Sequence, residues 1–317
     1  MSLSRREFIK TTSAGTVGVV LYPKIIKGEV TTGIIKNPVC IFTKCLQFLD
    51  YDHLGETLAL TGFDGADLSV RKGGHVLPEN VKTDLPGAVK ALQRSGITVP
   101  MMVTAITDPD NPETEQILGT ASELGIKFYR MGYLTYDMKK SIQENLDIHR
   151  KTFEKLEKIN RKFNIHGGYQ NHPGTRVGSP LWDLYMLLKD TDQNYIGAQY
   201  DIGQAVMEGF SSWTLNMKLL SPWIKTTAIK DFIWQENNGK WEAKLVGLGE
   251  GLVDFDAYLK NYIEFGISGP ITIHYEYDLG GAESGIKNPN MNLDQIIVYL
   301  KDDLNWLRKK LNEFKIR

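Results

Sequence analysis

Cysteine is scarce: Cys40 and Cys45 are the only two in 317 residues. Along one extended strand they would stand roughly 16 Å apart, beyond disulfide reach. No disulfide framework is expected, and Cys40 reads as core filling. Nor does one charge dominate. The 37 basic and 38 acidic residues nearly cancel, with no long run of either sign. That argues against the basic face needed by a nucleic-acid surface or a polybasic membrane contact. Several chemistries also lack their signatures. No Gly-x-Gly-x-x-Gly follows the first strand-like run, and Leu248-Gly-Glu-Gly251 is too short to replace it. Walker A, Gly-x-Ser-x-Gly and His-Glu-x-x-His patterns are absent. There is no internal repeat at the level of sequence and no low-complexity linker.

What is present begins with Ser4-Arg-Arg-Glu-Phe-Ile-Lys10, followed by a mild apolar stretch over 11–21. A twin-arginine pair before a weakly hydrophobic segment resembles a bacterial Tat export signal. The apolar stretch is too short, and too rich in Gly, Ser and Thr, for a stable transmembrane helix. Residues 1–34 are therefore expected to be a Tat-type signal and linker, and 35–317 the folded domain. The expectation is a periplasmic protein with no stable membrane span in its mature form, tethered only if the signal stays uncleaved.

Beyond the signal, short apolar runs alternate with helical patterns. Strands are expected over 39–42, 63–70, 97–105, 126–131, 165–172, 195–201, 224–233 and 270–277. Helices are expected over 54–60, 80–95, 113–124, 141–163, 181–189, 213–220, 255–265 and 293–314, three of them stopped by Gly96, Gly125 and Gly266. Asn237-Asn-Gly239 marks a small hairpin in the connection after the seventh strand. Eight strand–helix alternations with short connections predict a single-domain α/β (β/α)8 TIM barrel. A doubly wound sheet is the alternative, but it lacks its dinucleotide fingerprint.

The run Ile165-His-Gly-Gly-Tyr-Gln-Asn-His172 carries the first functional signal. As a strand it sets His166, Gly168, Gln170 and His172 on one face, a poor choice for a dry surface. Pro270-Ile-Thr-Ile-His-Tyr-Glu-Tyr277 likewise sets Thr272, His274 and Glu276 together. In a TIM barrel the C-terminal strand ends form the active site, and here they collect polar side chains. Lys44 follows the first strand. Asp67, Ser69, Arg71 and His75 follow or end the second, and Arg130 ends the fourth. Gln170 and His172 come from the fifth, Asp201 and Gln204 from the sixth, Lys230, Asp231 and Trp234 from the seventh, and His274 and Glu276 from the eighth. Two bland pairings are open at this level, Lys230 with Asp231 and Asp67 with Arg71. Asp201 and Glu276, with a residue of the seventh strand between them, are the pair suited to hold a divalent cation through oxygen ligands. A cation on a ketose hydroxyl and carbonyl would acidify the C–H between them and stabilise the enediolate. Glu276 would be the base.

Several segments carry a family likeness: Phe63-Asp-Gly-Ala-Asp-Leu68, Gly73-Gly-His-Val-Leu-Pro78, Tyr129-Arg-Met-Gly132, Gly167-Gly-Tyr-Gln-Asn-His172, Gln199-Tyr-Asp-Ile202, Ile229-Lys-Asp-Phe232 and Tyr275-Glu-Tyr277. With them the chain resembles the sugar phosphate isomerase/epimerase family, the xylose isomerase-like TIM barrels, in an exported bacterial branch. The resemblance implies one divalent metal (Mn, Co, Zn or Mg) on four ligands: Glu on the fifth strand, Asp on the sixth, His on the seventh and Glu on the eighth. Asp201 and Glu276 match. The fifth-strand Glu falls on Gln170, the seventh-strand His on or near Ala228, and a His three residues after the sixth-strand Asp on Gln204. Glutamine can bind metal through its carbonyl but takes no proton near neutral pH.

The expected metal ligands are Asp201, Glu276 and Gln170. The expected catalytic residues are Glu276, His172, Lys230 and Arg130, with Lys44, His75, Gln170, Gln204, Trp234 and His274 binding substrate. Three outcomes stay open: a metal site completed by His172 or His274, a metal-free site with Glu276 or His172 as base and Lys230 with Arg130 on the oxyanion, or a sugar-binding barrel without turnover. The expected partner is a small carbohydrate, not nucleic acid. The expected reaction is isomerisation or epimerisation of a sugar or keto-sugar, with elimination from a 3-keto-glycoside as the alternative.

Overall fold

The computed structural model describes residues 36–316. The twin-arginine segment and its linker lie outside them. Strands β1 (Val39–Phe42), β2 (Gly65–Ser69), β3 (Thr98–Val103), β4 (Phe128–Arg130), β5 (His166–Gln170), β6 (Ile196–Asp201) and β7 (Ile224–Ile229) follow one another around the ring. The eighth barrel strand is β10 (Ile271–Ile273), which lies between β7 and β1. It closes the ring in parallel register, Val39 facing Ile271 and Ile271 facing Thr227. This is a single-domain (β/α)8 TIM barrel, as the alternation predicts.

The seventh strand is shorter than expected. It stops at Ile229, because β8 (Asp231–Asn237) leaves the barrel to pair antiparallel with β9 (Lys240–Val246). Their turn has φ of 52° at Asn238 and 78° at Gly239. Two successive left-handed residues match the twist of a two-residue hairpin, and Asn-Gly tolerates them best.

The helices are α1 (Tyr51–Thr61), α2 (Val81–Arg94), α3 (Pro112–Glu123), α4 (Ile142–Phe163), α5 (Trp182–Leu188), α6 (Ile202–Gly209), α7 (Trp213–Leu220), α8 (Phe255–Glu264) and α9 (Leu293–Glu313). Helix α4 starts at a capping box: the Ser141 hydroxyl accepts the Glu144 amide and the Glu144 carboxylate accepts the Ser141 amide. It buries Leu146, Phe153 and Leu156 along one face, each contributing roughly 1.5–3 kcal/mol by burial. Helix α6 escapes the sequence pattern, being short and holding glycines at 203 and 209. No described helix is long and apolar enough to cross a membrane.

Alternation sorts the strand residues. On β5 the Tyr169 ring packs 5.8 Å from Phe153 of α4, and on β6 the Tyr200 hydroxyl donates to the carbonyl of Trp213 at the start of α7. Gln170, Gln199 and Asp201, one step away, therefore face the barrel axis. Cys40 is buried with a free thiol, as expected. Cys45 sits in a tight 3-10 turn over Thr43–Leu46 rather than on an extended strand.

Candidate active site

The strand ends bring Gln170, Asp201, Lys230 and Glu276 into one connected group. The Lys230 ammonium lies 2.6 Å from Glu276 Oε2 and 3.1 Å from Asp201 Oδ2. Lys44 reaches the other Glu276 oxygen at 3.3 Å. Gln170 Nε2 donates to Asp201 Oδ2 at 2.7 Å, and Gln170 Oε1 accepts from Arg130 at 2.9 Å and from the Tyr133 hydroxyl at 2.7 Å. A line of polar contacts thus crosses the rim from β4 to β10.

Local chemistry fixes each member. Asp201 Oδ1 accepts the Gln204 amide at 3.0 Å and so caps α6, leaving Oδ2 for the site. Asn171 clamps the Asp201 backbone, accepting its amide at 2.8 Å and donating to its carbonyl at 3.0 Å. Gly203 makes room for the lysine: a Cβ there would stand 2.6 Å from Lys230 Cγ and 2.9 Å from the Lys230 carbonyl oxygen.

Charge states follow from these neighbours. Burial alone would lower the Lys230 amine, but Asp201 and Glu276 raise it above its ordinary value. Burial alone would raise Glu276, yet Lys230 and then Lys44 hold it well below the usual carboxylate range. Both groups are charged at neutral pH. Burial lowers His172, and its Nδ1 lies 3.0 Å from the Pro173 carbonyl oxygen. Donation from Nδ1 leaves Nε2 as a free base. His274 is buried and held well below its ordinary value, first by burial and then by Lys230. It is a neutral ring 5.0 Å from Phe42, with Nδ1 4.0 Å from Glu276 Oε1.

Other candidates have different duties. His75 is scaffold rather than a substrate group. Nδ1 lies 3.1 Å from both the Thr43 and Ser69 hydroxyls and Nε2 lies 3.1 Å from the Leu46 carbonyl, so no ring nitrogen is free. Burial pushes that ring down to about 4, keeping it neutral. Trp234 stands 41% exposed on β8, edge-on to Phe232 at 5.7 Å, and has no bond to the Gln170–Glu276 group. The Gln204 side chain is buried with no partner for its Oε1. The Lys230–Asp231 pairing does not form. Asp231 instead accepts amides from Phe232, Gly249, Gly251 and Val253 at 2.9–3.1 Å, pinning the return from the hairpin. Asp67 and Arg71 do not pair either: no Arg71 nitrogen bonds to the Asp67 carboxylate, and the Arg71 guanidinium lies 5.2 Å from the Phe42 ring. Sequence reasoning missed Tyr133, Asn171, Phe42 and Arg176. Only Asn171, beside Gln170, offered a local hint.

A divalent metal does not fit this donor set. The Lys230 ammonium already lies between the two carboxylates that would hold the ion. Gln170 turns its amide nitrogen toward Asp201 and its carbonyl toward Arg130 and Tyr133. Ala228, opposite Asp201 in the β6–β7 register, brings no ligand. Among the described residues no three His, Cys, Asp or Glu side chains form a cluster fit for a metal.

A closed parallel barrel with its polar group at the C-terminal strand ends has the layout of a TIM-barrel enzyme. The chain belongs to the xylose isomerase-like TIM barrel family, matching it over residues 56–310. No curated protein matches it in sequence. Among solved structures it is similar to a xylose isomerase domain protein from Planctomyces limnophilus, at 14% identity and TM-score 0.62 over 88% of this chain and 99% of that one. It is similar to the 3-keto-D-glucoside 4-epimerase of E. coli, at 12% identity and TM-score 0.63 over 86% and 100%. It is also similar to a D-allulose 3-epimerase from Methylomonas sp. in complex with D-allulose, at 12% identity and TM-score 0.64 over 87% and 97%. At these identities the likeness is one of fold.

Proposed function

We propose that the chain is a metal-independent enzyme acting on a sugar or keto-sugar by removing a proton next to a carbonyl. The observation that carries this reading is the Lys230 ammonium bridging Asp201 and Glu276. A fixed cation there supplies the charge an enediolate oxygen needs, without a metal. Glu276 is the base, the one carboxylate of the group that is partly open to solvent, at 27% side-chain exposure. Its resting pairs with Lys230 and Lys44 depress its basicity. A substrate oxygen that takes up those ammoniums restores it and is itself polarised, so binding and activation are coupled. Arg130, buried and in contact with Gln170 and Tyr133, adds a second cation on the β4–β5 side.

Epimerisation needs proton transfer on both faces of the carbon. Gln170 cannot serve, so His172 is the second proton-transfer group, with Nε2 as the atom that carries the proton. Having an amide at Gln170 also favours a second reading, β-elimination from a 3-keto-glycoside, which needs only one base. The comparison with the keto-glucoside epimerase fold supports trying both substrate kinds.

The test is Glu276→Gln, assayed on ketoses and 3-keto-glycosides by turnover and by exchange of the substrate C–H in deuterated water. Turnover and exchange should fall at least a thousand-fold while sugar affinity stays within a few-fold, and chelator should not change wild-type activity. Retained turnover in the variant would refute Glu276 as base. Loss on chelation, restored by manganese or cobalt, would refute metal independence. A wild type that binds sugar but neither exchanges nor turns over any of them would be a binding protein.

A further inference from the structure

We infer that the carbohydrate taken by this site carries an anionic group, recognised by Arg71, Arg130 and Arg176. The inference rests on the proposed reading that the site binds a sugar, and it adds the class of sugar.

The contrast among arginines carries the argument. Arg94, Arg150, Arg161 and Arg308 each pair with a carboxylate: Arg94 with Asp52, Arg150 with Asp147 at 2.9 Å, Arg161 with Glu157 and Asp192 at 2.9 Å, and Arg308 with Asp64 at 2.9 Å. Arg71, Arg130 and Arg176, all at the strand-end rim, pair with no carboxylate among the described residues. They share two rings instead. Arg71 and Arg130 lie 5.2 and 5.9 Å from the Phe42 centroid, and Arg130 and Arg176 lie 4.9 and 4.6 Å from that of Tyr133. A ring beneath a guanidinium orients it and leaves N–H groups open on Arg71 and Arg176, whereas Arg130 spends its Nη1 on Gln170 and the Tyr133 hydroxyl. None of the three is fully exposed, and Arg130 is buried with its Nε lacking any partner.

Like charges gathered on a partly buried wall repel and lose hydration. Burial first and then the neighbouring Arg130 lower Arg71, by more than the more distant charges of Asp67 and Glu276 raise it. The wall is also built in. Arg176 is held by a bridge to Thr135, and the loop after Arg71 is drawn back by a Gly74 amide bond to the Arg71 carbonyl at 2.8 Å. An anion completes such a wall, because guanidinium forks bind carboxylate and phosphate in two-pronged fashion. Tyr133 joins the wall to the catalytic group through its bond to Gln170, so the anion and the reacting carbonyl belong to one molecule.

The experiment is equilibrium binding to the Glu276→Gln full chain, in which the arginines are intact and turnover is not needed. Probes are glucuronate, glucose 6-phosphate, glucose and inorganic phosphate. One of the sugar anions should bind at least tenfold tighter than glucose and tighter than inorganic phosphate. That preference should shrink with added salt and disappear in Arg71→Gln and in Arg176→Gln, whereas Arg71→Lys should keep only part of it. Preference for glucuronate identifies a carboxylate, and preference for glucose 6-phosphate identifies a phosphate. Glucose binding as tightly as both anions, a preference surviving both Gln variants, or inorganic phosphate binding as well as either sugar anion would overturn the inference. Anionic binding with no wild-type turnover of the same sugars would instead refute the proposed reaction and leave this inference standing.

Discussion

Replacing Lys230 by Met keeps most of the stem's volume and removes the ammonium. Two carboxylates then face each other, Asp201 fully buried and Glu276 partly open. Breaking a buried ion pair by removing one partner costs about 3–5 kcal/mol. Two features place this case near the lower end: Gln170 and the Gln204 amide still donate to Asp201, and Lys44 still pairs with Glu276. The expected loss is about 3 kcal/mol at pH 8, or a fall in Tm of about 5 °C for a domain of this size. The pH dependence has a definite sign. Glu276 lies below its ordinary 4.5, so its contribution is present above that pH and lost on acidification. Lys230 lies above its ordinary 10.5, so its contribution is present at all pH below that value. The variant's deficit should therefore be full between about pH 6 and 10 and shrink toward pH 4, as carboxyl protonation relieves the repulsion. Urea unfolding of both proteins at pH 8 and pH 4.5 measures it. Manganese should stabilise the variant and leave the wild type unchanged. A deficit under about 1 kcal/mol, an equal deficit at both pH values, or manganese stabilisation of the wild type would refute the bridging ammonium.

Two further outcomes can be measured. Burial pushes the Asp67 carboxyl from 3.8 up to about 7, so wild-type stability should fall as pH rises from about 4 to 7 by up to about 4 kcal/mol. Asp67→Asn should remove most of that slope and be the more stable protein at pH 8; an unchanged slope in calorimetry would mean that Asp67 is solvated. Gly203→Ala drives a methyl against Lys230, including its backbone oxygen. It should cost about 1–3 kcal/mol and at least tenfold in kcat, and unchanged values of both would show that the lysine has slack.

Much of the architecture was legible because its causes are local. The β5 run alternates as read, with Gln170 toward the axis and Tyr169 toward α4. The Asn-Gly hairpin formed where its turn chemistry demanded. The helices over 81–94, 112–123 and 255–264 are each followed within two residues by glycine with positive φ, at 96, 125 and 266. The seventh strand was overextended because no Gly, Pro or Asn separates Ile229 from the β-prone Phe232 and Ile233. Only partner choice distinguishes a barrel strand from a hairpin arm.

The sequence by itself determined the barrel and the polar strand ends, through periods of two and 3.6, capping residues and turn glycines that act over a few neighbours. It also named Asp201, Lys230 and Glu276. Tertiary structure alone decided what they do together. Lys230 lies one residue from Asp231 yet pairs with Glu276, 46 residues on, and Glu276 pairs with Lys44, 232 residues away in the chain. Whether His75 meets substrate or braces the scaffold, whether Gln170 offers its amide or its carbonyl, and which arginines lack a carboxylate are likewise settled by distance and direction across the closed ring. A one-dimensional pattern carries neither, because closing the barrel makes neighbours of groups with no local reason to meet.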